Sequence, residues 1–308
     1  MGSAPLSAWI GFHIFVFLML ALDLGVFHKK AHEIRFKEAI AWTGVWIAFA
    51  LLFNAGIYWW YGHDRALEFL TGYLVEKSLS VDNIFIFLVI FSYFRVPPKY
   101  QHKVLFWGIL GALVMRATFI YAGVQLMQRF HWIIYVFGGF LIFTGLKMLK
   151  HKQEELDPEK NLAVRFVRKF VPLSKPDEGG EGKFLVRLNG KLLATPLLLV
   201  LVLVETTDLI FAMDSIPAIL AISQDAFIVY TSNVFAILGL RSLYFAVAGL
   251  LQLFHYLHYG LSAVLIFIGL KMTLSDWYHL PTAVALGVVL GLLLISIGAS
   301  LLFPPKKS

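Results

Sequence analysis

Cysteine is absent from the 308-residue chain. Its absence excludes disulfides, thiolate metal sites and thiol redox chemistry. Charge is scarce: 15% of residues are Asp, Glu, Lys or Arg, against about 25% in a soluble domain. The period-2 alternation of an outer-membrane barrel is also missing. No basic residue precedes Lys29, so the first apolar run lacks the charged leader of a cleavable signal peptide. His13 is the one histidine well inside an apolar run.

Hydrophobic residues make up 59% of the chain, and the mean hydropathy is +0.77. Apolar runs of about 20 residues, each long enough to cross a bilayer as a helix, recur along it. The fold class expected is all-α: a polytopic membrane bundle and a single transmembrane domain over 1–308. Nine spans are read at 8–27, 39–60, 68–92, 104–126, 131–149, 195–220, 226–253, 257–274 and 281–303. With the N-terminus outside and the C-terminus cytoplasmic, twenty of the 26 Lys and Arg residues fall in cytoplasmic segments and only Arg65 and Arg129 outside. That asymmetry sets the orientation, and it accounts for the net charge of +7 without a nucleic-acid partner.

The long cytoplasmic loop, 150–194, reads as a basic connector. Within it Asn161–Val171 suggests a short amphipathic helix on the membrane surface. Asp177–Gly182 suggests a polar turn, and Asn189-Gly190 between apolar residues a hairpin.

Two stretches share a pattern. EKSLSVDN holds Glu76 and Asp82 six residues apart, and DLIFAMDS holds Asp208 and Asp214 at the same spacing. An arginine follows each in the next helix, Arg116 and Arg241, and a Gly-Leu-Lys-Met sequence ends the third, at Gly145–Met148 and Gly269–Met272. Each unit has three helices, so the second copy must face the opposite way. Spans 3–5 and 6–8 are therefore expected to form an inverted repeat, an architecture that places a transporter's site between its halves.

The mid-span charges Glu76, Lys77, Asp82, Arg116, Glu205, Asp208, Asp214 and Arg241 each cost about 2.5–3.5 kcal/mol if they face lipid. They must instead face one another, water or a ligand. Five acids against three bases leave a formal −2, which suits one divalent cation. The carboxylates, the Asn83 amide and the hydroxyls of Ser78, Ser80, Thr206, Thr207 and Ser215 are hard oxygen donors, suited to manganese, magnesium or calcium. On an ideal helix Glu76, Ser80 and Asn83 share a face, while Asp82 lies about 120° away. Asp208 and Asp214 are related in the same way. Pro217 should loosen span 6 beside Asp214. A permanent salt-bridge network is the structural alternative, with Arg116 and Arg241 orienting and neutralising the acids.

EKSLSVDNIFIF (Glu76–Phe87), ETTDLIFAMDSIPAI (Glu205–Ile219), SNVFAILGLRSLYF (Ser232–Phe245) and GLKM (Gly145–Met148) resemble the TerC integral-membrane family, and the resemblance spans essentially the whole chain. It implies manganese export for part of that family and kinship with LysE-superfamily exporters; the location expected is the bacterial inner membrane. By motif position it implies metal handling by Glu76, Asp82, Asn83, Glu205, Asp208, Asp214 and Ser215; Ser80, Arg116, Arg241 and Pro217 are read as supporting from their helical position and chemistry. The expectation is a divalent cation transporter rather than an enzyme, a manganese(II) exporter first, with the ion as substrate and no organic cofactor. Other labels in the family, membrane redox modulator and tellurium-resistance factor, supply the alternative. A scaffold acting through loop 150–194 is a third reading.

Overall fold

The computed structural model describes residues 4–25, 36–150, 182–188, 190–248, 256–278 and 280–302, with the side chains of 22–25, Asp82 and Lys150 outside the description. The amphipathic helix expected at 161–171 and, apart from Gly182, the turn expected at 177–182 lie outside the described residues. In chain order the elements are α1 (Leu6–Gly25), α2 (Phe36–Tyr61), α3 (His63–Tyr93), α4 (Pro98–Arg129), α5 (Ile133–Lys150), β1 (Leu185–Leu188) and β2 (Lys191–Ala194). There follow α6 (Pro196–Leu220), α7 (Ala226–Leu238), α8 (Leu240–Ala248), α9 (Leu257–Thr273) and α10 (Thr282–Leu302).

Local chemistry sets the helix starts. Pro98 and Pro196 occupy first-turn positions, where the missing N–H costs nothing. Thr195 caps α6 by accepting from the Leu198 amide, and Asp225 caps α7 by accepting from Phe227 and Ile228. The β1–β2 hairpin pairs Leu188 with Lys191, and Gly190 has φ 77°. A hairpin therefore stands where the sequence places one.

Four described helices, α2, α4, α6 and α10, are long and apolar enough to span a membrane. α7 and α8 pass only as a pair, bent by 41°. The continuous helix expected over 226–253 is thus interrupted within the described residues 226–248. Its break falls at Gly239, where the Lys77 ammonium crosses from α3 to donate to the Ala236 carbonyl at 3.2 Å. That bond satisfies one of the carbonyls that a helix end leaves unpaired. Lys271 of α9 does the same at the end of α6, donating to Ala221 at 3.2 Å. Pro217 does not interrupt α6, which continues to Leu220. Only the bond that its missing N–H would have made to Met213 is lost, and the helix ends within the next turn.

Polarity is inverted relative to a soluble bundle. Leu294 and Ile295 of α10 are 66% and 71% exposed, whereas Arg116 is 1% exposed. Hydroxyls on the helices turn back on their own backbone: Ser78, Thr206 and Thr207 donate to the carbonyls of Leu74, Val202 and Leu203. This pairing is what a membrane interior demands.

The packing is tightest between α5 and α9, which run antiparallel. A Cβ on Gly138 would lie 2.9 Å from the Gly269 carbonyl, and one on Gly145 2.8 Å from that of Ser262. Residues 138 and 262, and 145 and 269, are each separated by the 124 positions that relate the two GLKM sequences. α4 packs on α6, and α3 on α7.

Candidate functional site

Arg116 enters the core from the middle of α4 and draws in side chains from three other helices. Nη1 pairs with Glu76 Oε1 of α3. Nη2 and Nε bond Asp208 of α6 at 3.2 and 3.4 Å, a two-pronged grip on one carboxylate. Nη1 also donates to Asn233 Oδ1 of α7 at 3.0 Å and approaches Ser215 Oγ at 3.4 Å. Asn233 in turn donates from Nδ2 to Glu76 Oε2 at 3.2 Å, and Ser80 Oγ lies 3.5 Å from Glu76 Oε1. Glu76, Ser80, Asp208, Ser215 and Asn233 are all buried.

Helix geometry explains the gathering. Glu76 and Ser80 are four residues apart, and Asp208 and Ser215 seven apart, so each pair shares a face. Glycines let α4 approach α6 closely: Gly108 sits against Val204, and the space a Cβ would take on Gly111 is held by the Glu205 carboxylate.

The other predicted residues fall around this centre. Asn83 is buried on α3, and its Oδ1 has no hydrogen-bond partner among the described residues. Arg241, at the start of α8, lines a small, mostly apolar cavity together with Asp208, Gly108 and Ala112. Glu205 stands one turn from Asp208, half-buried over Gly111. Asp214 faces away from the cluster, toward α5, where the Thr144 hydroxyl donates to it at 3.1 Å. The helical angle between Asp208 and Asp214 persists because α6 stays closed, so the acids of this motif do not converge. The side chain of Asp82 is outside the described residues. Among those that are described, no three carboxylate or imidazole groups gather as a metal cluster.

Asn233 is the residue that sequence reasoning missed. It bears no charge, and the 125-residue offset relating the two arginines pairs it with Gly108, so the repeat gave no cue. Its signals were the run Thr231-Ser232-Asn233 inside an apolar helix and its place in the Ser232–Phe245 motif. All three are fully buried.

Apolar helices around a charged interior define a multi-pass integral membrane protein. The chain matches the integral membrane protein TerC family over residues 61–308, and it belongs to that family. "Uncharacterized membrane protein STKORF319" of Myxococcus xanthus is 56% identical over 294 residues, covering 96% of this chain and 92% of the relative. "Putative membrane-bound redox modulator Alx" of Escherichia coli K12 is 50% identical over 299 residues, covering 94% and 92%. The Salmonella typhi protein of the same name is 48% identical over the same coverage. No solved structure matches the chain.

Proposed function

We propose that the chain is a divalent cation transporter whose substrate is a hard ion, manganese(II) first, bound between α3 and α6. The observation that carries this reading is the convergence of Glu76 and Asp208, one carboxylate from each acidic motif, on a single buried point. Ser80, Ser215 and Asn233 add oxygens there, and Asn83 holds an unpaired buried amide oxygen on the same α3 face. Leaving such a group unpaired costs about 1–3 kcal/mol, a cost that a bound cation would remove. Oxygen donors without sulfur or imidazole favour manganese, magnesium or calcium over copper or zinc.

The antiparallel contact of α5 with α9 supports an inverted repeat of α3–α5 and α6–α9. So does the matched packing of α4 on α6 and α3 on α7. In the orientation set by the Lys and Arg asymmetry, Glu205 lies on the cytoplasmic side of Asp208 and is a first stop for an ion leaving the cell. The protein then works as an exporter in the inner membrane, with no catalytic residue and no organic cofactor.

The test is manganese flux in proteoliposomes. Glu76→Gln and Asp208→Asn are expected to lower it by about tenfold or more. Asp214→Asn should lower it less, because its carboxylate faces Thr144. Full flux in both of the first two variants would sink the proposal. A second reading, redox modulation, is favoured by the name that the Escherichia and Salmonella relatives carry. With no cysteine in the chain, it requires a bound redox group, so a visible absorption band in the purified protein would favour it.

A further inference from the structure

The Arg116 guanidinium bonds the groups assigned above to the ion: Glu76, Asp208, Ser215 and Asn233. A divalent cation held by the two carboxylates would occupy the position the guanidinium now fills. We infer that Arg116 is a tethered surrogate for the substrate ion: it fills the site when the carrier is empty and withdraws when the ion arrives. The inference rests on the transport reading and deepens it.

Electrostatics favours this role. Two carboxylates buried side by side without a cation repel each other and lose their hydration, so an empty site of that kind would resist crossing the membrane interior. With Arg116 in place both carboxylates are paired, and Asn233 fills the second oxygen of Glu76. The empty carrier can then reorient without a second ion in the site. Displacement needs the helices to part. The cavity beside Asp208, lined also by Arg241, is about 10 Å³, room for about one water, so the guanidinium can withdraw only as the entering ion opens the bundle, swinging on the stem that anchors it to α4.

Two transport modes separate this role from a structural one. Net export requires the empty carrier to return, whereas exchange of labelled for unlabelled manganese uses the loaded carrier in both directions. A permanent strut would affect both modes alike. A surrogate competes with the ion in both modes but is required only for the empty return, so its loss shows in the ratio of the two.

Proteoliposomes containing the full chain should therefore be assayed for both modes with Arg116→Gln and Arg116→Lys, each checked for a monodisperse, folded profile. In Arg116→Gln the ratio of exchange to net export is expected to rise about tenfold or more. Arg116→Lys keeps the charge but lacks the fork that spans two carboxylates, and should fall between. Adding millimolar guanidinium to Arg116→Gln should restore part of the net export. Equal loss of both modes in both variants, or net export at the unaltered rate, would overturn the surrogate while leaving the transport reading intact. An unaltered protein that moves no manganese in either mode would overturn both.

Discussion

Asn233 bonds both members of the Glu76–Arg116 pair at once, through its amide and its carbonyl. Asn233→Leu would leave a buried guanidinium and a buried carboxylate each one bond short, at about 1–3 kcal/mol or more, since charged groups suffer most. The expected result is a clear fall in melting temperature of the detergent-solubilised protein. Asn54→Leu is the comparison: its Oδ1 already lacks a partner, so its melting temperature should hardly move. An equal fall in both would remove the special role of Asn233. The residues of the cluster were legible to the extent that they carried charge or sat beside a charge. Glu76, Asp208 and Arg116 were visible as costly groups in an apolar run, and Ser80 and Ser215 as their neighbours at helical spacing. The uncharged amide of Asn233, on the helix after Asp208, gave no comparable cost to notice.

Among the elements, α5 and α9 meet through glycines. The contact partners at Gly138, Gly145 and Gly269 include backbone atoms of the facing helix, which cannot rotate aside as a side chain can. Gly138→Val or Gly145→Val should therefore force the helices apart, at a cost of about 1–3 kcal/mol or more. Gly139→Val, with nothing within 4 Å of its Cβ, should be tolerated. Thermal unfolding of the three variants checks this, and a large loss in Gly139→Val alone would contradict it. The GLKM sequence marked where the third helix of each unit ends. It did not show that its glycine permits contact, because close approach depends on the partner's register. The break at Gly239 was hidden for a related reason. A lone glycine in an apolar run does not bend a helix by itself, and here the Lys77 ammonium, from another element, pairs the buried Ala236 carbonyl at the helix end.

Across the whole molecule, one tie joins segments far apart in the chain. Asp276, exposed between α9 and α10, accepts from the Tyr135 hydroxyl at 2.5 Å and bonds His131 at 3.2 Å. The Tyr135 bond, then the His131 bond, hold its carboxyl below the usual value of 3.8. A carboxyl held low in the folded state adds stability above its ordinary value, which is lost as pH falls through the lowered one. Melting temperature should thus decline more steeply below about pH 4 in the unaltered protein than in Asp276→Asn, and parallel curves would refute the tie. The inside-out polarity and the family were open to sequence reading, because both are written in composition and contiguous motifs. Which acids converge was not, since a closed α6 turns Asp214 onto α5. Under the proposed transport, the Arg116 cluster also has an electrical consequence. Two carboxylates against one guanidinium carry a formal −1, and the same groups with a divalent ion added carry +1. A carrier that ships +1 outward and returns −1 moves charge on both strokes. A membrane potential negative inside would oppose each by about 2.3 kcal/mol per 100 mV, so the voltage across the bilayer, as much as the ion gradient, would set how far export can run.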